Sequence, residues 1–356
     1  MSIKLFIPGP TDVEPDVLQQ LATTQIGHRS KTATELQKRI SEKLQKLMYT
    51  DNTIILSTSS GSGIMEMAIR SCTQKRAAVF SVGAFGNRWF DMAKRNNIPA
   101  DIFTPEPGKG VRPEMVEDVL KTGKYDVVTI THNETSSGIM NPVDTIGEVV
   151  KQYPDVLYLV DAVSSLGGAK IEVDKCGIDI CLTSTQKCLG LPPGLSVASV
   201  SERAYNRAKD VPYRGYYLDL VNVVDRVKKN YQYPTTPVTP LMWALDYKLD
   251  KILEQEGLDH RFARHEKLAN IVQKWALKHF DLYAEDGFRS HTVTTILNTK
   301  GYSVAELNQA LMERGYMISN GYGSLKEKAF RIAHMADRQE DDLLDLLSII
   351  EEIWNL

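Results

Sequence analysis

The sequence predicts an α/β fold: a large domain with a mainly parallel sheet covered by helices, plus a smaller C-terminal α+β domain. Three observations carry this. Apolar runs of strand length alternate with longer amphipathic segments over the first two-thirds of the chain, and runs apolar on both faces mark strands buried on both sides under crossover helices. Past about Gly257 the pattern turns helix-rich and then mixed. The 356 residues, 42% hydrophobic and 24% charged, suffice for one large core and a second, smaller one.

Taken in order, "TIILST" reads as a strand followed by the helix "GIMEMAIRSC", and "RAAVFSV" precedes the helix "NRWFDMAKRNN". Next come "YDVVTITH" with "DTIGEVVKQY", then the strands "VLYLVDA" and "IDICLTS". The C-terminal part opens on the long helix "RFARHEKLANIVQKWALKHF" and continues through "HTVTTILN", a helix around "SVAELNQALMERG", "YMISNG", "AFRIAHM" and the closing helix "DDLLDLLSIIEEIWNL". The expected division is an N-terminal arm over residues 1–15, a large domain over 16–256 and a small domain over 257–356. The stretch "YPTTPVTP" at residues 233–240 carries too many prolines for a central strand or a regular helix. It reads as a linker or as a segment reaching toward a partner subunit.

A formal charge of −3 without any long Lys/Arg run argues against nucleic acid or an anionic membrane as the main partner and for a small molecule. The N-terminal "MSIKLFIPGP" is interrupted by Pro8, Gly9 and Pro10, and no apolar stretch approaches membrane-spanning length, so a cytoplasmic protein is expected. Cys72, Cys176, Cys181 and Cys188 are too few for a disulfide framework and fit no C-x-x-C metal site. They read as buried free thiols, and no metal is expected.

In open parallel sheets ligands bind beyond the carboxyl ends of the strands, and four such junctions are rich in small polar residues. The turn "STSSGSG", residues 57–63, allows close backbone approach and offers free amides at a helix start, which suits a phosphate. A plain helix cap fits that turn equally well. The dinucleotide fingerprint fails because Glu66 stands where its third small residue belongs, and no Gly-Lys-Ser/Thr is present. Asn133, Glu134, Thr135, Ser136 and Ser137 follow another strand and read on their own as turn residues. Asp161 ends an almost unbroken apolar strand, where an acid is costly to bury without a cation or generous hydrogen bonding.

Lys187 lies in "TSTQKCLGLPPG", after the neighbouring strand and before a run of breakers. A partly desolvated lysine loses its proton readily, and the neutral amine attacks aldehydes. An aldehyde cofactor with a phosphate tail and a basic ring nitrogen would use all three features: Lys187 for a Schiff base, Asp161 to keep the ring nitrogen protonated, and the Ser/Gly turn for the phosphate. Pyridoxal 5'-phosphate (PLP) is such a cofactor.

The ordered pieces "PGP", "SSGSG", "VGAFGNR", "NETSSG", "LVDAVSSLGG", "GIDICLTSTQKCLGLPPG", "YPTTPVTP" and "SNGYGSLKEKAFRIAHM" span nearly the whole chain. In these the sequence resembles the class V aminotransferases of PLP fold type I, and within them the alanine/serine:glyoxylate (or pyruvate) group. The resemblance implies that Lys187 carries the Schiff base, that Asp161 partners the ring nitrogen, and that Gln186 and Val163 contact the cofactor. It implies Ser62, Gly63 and the Ile64 amide at the phosphate, Phe85 as the aromatic over the ring, and Thr135 near the ring oxygen. Tyr233 and Thr236 match positions that reach the phosphate from the other subunit of a homodimer. Arg331 matches the arginine that grips the substrate carboxylate, a task suited to its planar fork, and Gly9 a further substrate position. Arg29, in "GHRS", reads as a structural salt bridge or, less readily, a second anion contact.

This chain departs from the resemblance in reading "RIAHMAD" where the family often has "RIGHMG", and in Ile64, where a polar residue or histidine is common; both bear on substrate preference. The implied activity is ping-pong transamination from alanine or serine to glyoxylate or pyruvate. Three alternatives remain: an aminotransferase for phosphoserine or aspartate, a cysteine desulfurase or lyase, and a non-catalytic PLP-fold subunit of a complex. A desulfurase needs a mobile cysteine and normally a histidine before the cofactor lysine. Here Gln186 precedes Lys187 and no cysteine follows Cys188.

Overall fold

The structure, a computed structural model, describes residues 3–356; residues 1 and 2 of the expected N-terminal arm lie outside the described residues. Two sheets organise the chain. The larger has seven strands in the order Thr53–Ser57, Ser196–Val200, Ile180–Ser184, Leu157–Asp161, Val127–Thr131, Ala77–Phe80 and Ala100–Phe103. Adjacent strands from Ile180–Ser184 to Ala100–Phe103 are parallel. Ser196–Val200 runs antiparallel to both of its neighbours. The chain between Ser184 and Ser196 holds no helix and is too short for a crossover of a dozen residues or more, so the next strand comes back antiparallel.

Alternation along the strands divides their side chains between two cores. Tyr158, Val160, Val128 and Ile130 pack on one face with Leu36, Ile40 and Leu44 of the helix Lys31–Met48. Leu157, Leu159, Val127 and Val79 pack on the other with Met65, Ala68 and Ile69 of the helix Gly61–Cys72. Each such fully buried large aliphatic side chain contributes about 1.5–3 kcal/mol relative to exposure, so a one-residue slip would exchange the two sets and is strongly disfavoured. The register sets Asp161 beside both Thr131 and Leu182, which brings the polar strand ends Thr131 and Asp161 to one edge, with Ser184 two residues beyond Leu182.

The smaller sheet runs Lys4–Phe6, Tyr316–Asn320, Ala329–Ala333, Val293–Leu297 and Asp281–Leu282. The helices Leu258–His279, Val304–Glu313 and Glu340–Trp354 cover it around Phe6, Leu268, Leu307, Phe330 and Leu346. The N-terminal strand is a finding that periodicity did not signal: Lys4–Phe6 pairs in parallel with Tyr316–Asn320, buries Phe6 completely, and so ties the chain's start to its C-terminal part. No helix among the described residues is long and apolar enough to cross a membrane.

Candidate active site

A cavity of about 210 Å³ opens at the carboxyl ends of the central strands, between them and the start of the helix Gly61–Cys72. The turn before that helix presents Ser60, Gly61 and Ser62 to it. Gly61 is demanded by packing, because a Cβ there would come within 2.6 Å of Val163 Cγ2. Ser60 makes no side-chain cap, which leaves the helix start open to an external acceptor. Gly63 and Ile64 take no place in the lining: the Gly63 amide donates to the Ser60 carbonyl at 2.8 Å, and the Ile64 side chain is buried in the core.

Asp161 and Lys187 face this space from neighbouring strand ends. Asp161 Oδ1 accepts from the Val163 amide at 2.8 Å, and among the described residues no cation lies within ion-pair distance of its carboxylate. Burial raises its carboxyl from 3.8 to about 7, Glu134 adds to this, and Arg88 and Lys187 offset part of it. Burial likewise lowers the Lys187 amine from 10.5 to about 8, with the positive charges of Arg331 and Arg88 acting in the same direction.

The lysine is held from several sides. Its Nζ donates to the Pro8 carbonyl, and Gly9, at φ +124°, lies where a Cβ would meet Lys187 Cδ at 2.7 Å. Thr11 ties down the backbone, its amide donating to the Gln186 carbonyl at 3.1 Å and its hydroxyl to the Lys187 carbonyl at 3.2 Å. The breakers after Lys187 close a compact loop: the Gly190 amide donates to the Lys187 carbonyl at 2.9 Å, and the Thr185 hydroxyl to the Pro192 carbonyl at 2.7 Å. Cys188 is buried, its thiol donating to the Ser164 carbonyl at 3.3 Å, and burial raises it to about 11. It is therefore a poor nucleophile.

Glu134 orients the opposite wall. Its Oε2 accepts from the Phe85 and Gly86 amides at 3.0 and 2.9 Å, capping the helix Ala84–Arg95, while Oε1 accepts from the Ser136 amide and hydroxyl at 3.0 and 2.6 Å. Burial raises this carboxyl and those four bonds oppose the rise. Phe85 is thereby fixed with its ring on the cavity, and Arg88, one turn on, also lines it. Sequence reasoning passed over Arg88; the available signal was its spacing of three from Phe85, which puts both on one helix face. Thr135, Val163 and Gln186 line the cavity.

Arg331 stands behind the rim rather than in the lining. Its Nη1 donates to the Thr135 carbonyl at 3.0 Å and its Nε to the Asn320 carbonyl at 3.1 Å, and its guanidinium lies 5.6 Å from the Tyr322 ring centre. Tyr233 is buried within its own chain, its hydroxyl bonded to Gln37 Oε1. Arg29 forms neither a salt bridge nor part of the cavity: its guanidinium donates to the carbonyls of Tyr233 and Pro234, which a proline-rich segment cannot pair in a ladder. Thr236 lies exposed on that segment.

The donor set fits PLP. Lys187 supplies an amine of lowered basicity, Asp161 a carboxylate without a cation, Phe85 a flat apolar face, and residues 60–62 an open helix start. In the same wall Asn133 Oδ1, Ser184 Oγ and Gln186 Oε1 are buried without hydrogen-bond partners, an arrangement that a polar ligand would relieve.

A family model described as aminotransferase class-V matches residues 5–336. An uncharacterized aminotransferase of Methanocaldococcus jannaschii is 40% identical over 355 residues, covering 98% of this chain and 91% of that protein. A serine–glyoxylate aminotransferase of Methylorubrum extorquens is 31% identical over 361 residues, 97% of this chain and 89% of that protein. The crystal structure of alanine–glyoxylate aminotransferase from Nostoc sp. superposes with a TM-score of 0.92 at 27% identity, covering 99% of this chain and 96% of the other.

Proposed function

This chain belongs to the class V aminotransferases and has their PLP-dependent type I fold, and from that premise we propose a specific reading. It binds PLP at Lys187 and moves an amino group from a small L-amino acid, alanine or serine, to glyoxylate or pyruvate in a ping-pong reaction. The observation that carries this is the pairing, in one cavity, of an amine lowered to about 8 with a carboxylate that lacks a cation.

PLP, when bound, supplies an aldehyde that condenses with amines and a ring that delocalises the electron pair left at the substrate Cα. Lys187 would contribute a neutral nucleophilic Nζ and a base placed to move the Cα proton. Asp161 would hold positive charge at the ring nitrogen, and Phe85 would offer its face to the ring. The Arg331 fork pairs with the substrate carboxylate. A small substrate is favoured because Arg331 is the one arginine that the resemblance gives to a substrate carboxylate. A desulfurase is disfavoured because all four cysteines are buried. Retention of both Lys187 and Asp161 argues against a non-catalytic subunit.

A homodimer belongs to the same proposal. Tyr213 and Tyr216 are 93% and 83% exposed, and the neighbouring Tyr217 hydroxyl donates to the Thr58 carbonyl at 3.2 Å. An interface there would cover this aromatic surface close to the cavity. Light scattering of the purified protein should give twice the chain mass.

The activity is tested by mixing the yellow holoenzyme with single amino acids and oxo acids. Alanine or serine should bleach the visible band and glyoxylate or pyruvate restore it. No spectral response to any of these, with a response to phosphoserine or aspartate instead, would replace the small-substrate reading.

A further inference from the structure

Two guanidinium groups approach the cavity, and they are held differently. Arg331 is bonded to the carbonyls of Thr135 and Asn320 on the side of the smaller sheet. Arg88 lies on the helix Ala84–Arg95, where its Nη1 donates to Ser62 Oγ at 2.9 Å and its guanidinium carbon sits 4.6 Å from the Phe85 ring centre. Among the described residues no carboxylate lies within ion-pair distance of it. Among the described residues Arg88 and Lys187 are the only cationic side chains lining the cavity, and the lysine amine is assigned to carbonyl chemistry.

The helix start at residues 60–62 offers hydroxyls and backbone amides, donors that carry no full charge. A phosphate monoester carries about −1.5 to −2 charges at pH 7, and a helix end compensates only about half a unit charge. Tyr233 and Thr236, the expected contacts from a partner subunit, are uncharged as well. A cation at this turn would supply the remaining countercharge, and Arg88 lines the cavity there. The Phe85 stack and the Ser62 hydroxyl together aim the Arg88 fork, a geometry matched to phosphate oxygens.

Resting on the PLP reading above, we propose that Arg88 is the countercharge of the cofactor phosphate, so that the chain divides its two anions between two arginines: phosphate to Arg88 and substrate carboxylate to Arg331. Arg88 then sets cofactor retention and leaves the choice of amino donor unaltered.

The test compares cofactor-free wild type, Arg88→Leu and Arg88→Lys for binding of PLP, of pyridoxal, which lacks the phosphate, and of inorganic phosphate. Arg88→Leu should weaken PLP and inorganic phosphate by about thirtyfold or more while changing pyridoxal by less than about threefold, with partial recovery in Arg88→Lys. Unchanged PLP affinity in Arg88→Leu would overturn the assignment, as would equal losses for PLP and pyridoxal, the mark of general damage to the site. It would fall too if PLP binding were spared while KM rose selectively for a dicarboxylic amino acid, because the cation would then serve the substrate. Wild type that binds no PLP would overturn the cofactor reading itself, a result separable from all of these.

Discussion

Two buried charged regions lie within one loop of each other and behave in opposite ways. Behind the Lys187 loop, Arg261 is 1% exposed and bonds through Nη1 to Glu256 Oε2 at 2.6 Å and to Asp337 Oδ1 at 3.2 Å. Its remaining nitrogens donate to the Gly167 and Cys188 carbonyls, both at 2.7 Å. Lys248, also 1% exposed, pairs with Glu14 and Asp337, each at 2.6 Å. Although burial opposes its ionisation, Asp337 is held below the usual carboxylate range by Arg261 and Lys248. In the cavity, similar burial without an ion-pair partner among the described residues raises Asp161 to about 7 and lowers Lys187 to about 8. Burial is common to both regions; pairing makes one inert and its lack makes the other reactive.

Four experiments break or sharpen that contrast. Lys187→Ala removes the reactive amine and should reduce transamination by about ten thousandfold, about 5.5 kcal/mol of barrier; full activity in this variant would end the mechanism. Asp337→Ala leaves Arg261 and Lys248 partly unpaired and should cost about 3–5 kcal/mol in urea unfolding. A loss under 1 kcal/mol would mean the network is not structurally important.

The two acids should also give opposite pH dependences in the cofactor-free protein. Asp161 is raised on folding from 3.8 to about 7, so its contribution to stability is full below about pH 4 and is lost as pH rises through about 7. Asp337 is lowered, so its contribution is present above the ordinary carboxylate value and is lost as pH falls through its depressed one. Asp161→Asn should flatten the decline between about pH 4 and 7, an effect of a few kcal/mol at most; an unchanged slope would place that titration elsewhere. The smallest effect is expected from Cys188→Ala, with turnover within about twofold and a stability cost of about 1 kcal/mol. A large loss of turnover with normal folding would give the thiol the chemical role that its burial argues against.

Much of the fold was legible because helices and strands announce themselves by local period. The strands at "VLYLVDA" and "IDICLTS" formed as Leu157–Asp161 and Ile180–Ser184, which placed Asp161 and Lys187 at one sheet edge. Ser196–Val200 was not read as a strand, because its small and hydroxyl side chains lack a clear alternation. Lys4–Phe6 was missed because three residues carry no period, and their partner lies some 310 positions away in sequence. At the site, the residues that lie at strand ends were found. Arg88 was not, since its value depends on the Ser62 hydroxyl of another helix. The Tyr233 hydroxyl bonds to Gln37, distant in sequence, a partner that no local pattern signals.

By itself, then, the sequence determined the α/β class, the strand-end positions of Asp161 and Lys187, and through its ordered motifs the family. Each of these follows from local backbone preference or from side-chain type at a fixed spacing. Only the tertiary structure decided which charges are paired. Arg261 and Asp337 neutralise each other while Asp161 and Lys187 face a cavity, Arg29 serves the carbonyls of a proline-rich segment, and Arg88 bonds to Ser62 with no carboxylate at ion-pair distance among the described residues. Pairing depends on distances between residues far apart in the chain, and in a desolvated interior those distances set whether a buried charge is quiet or reactive.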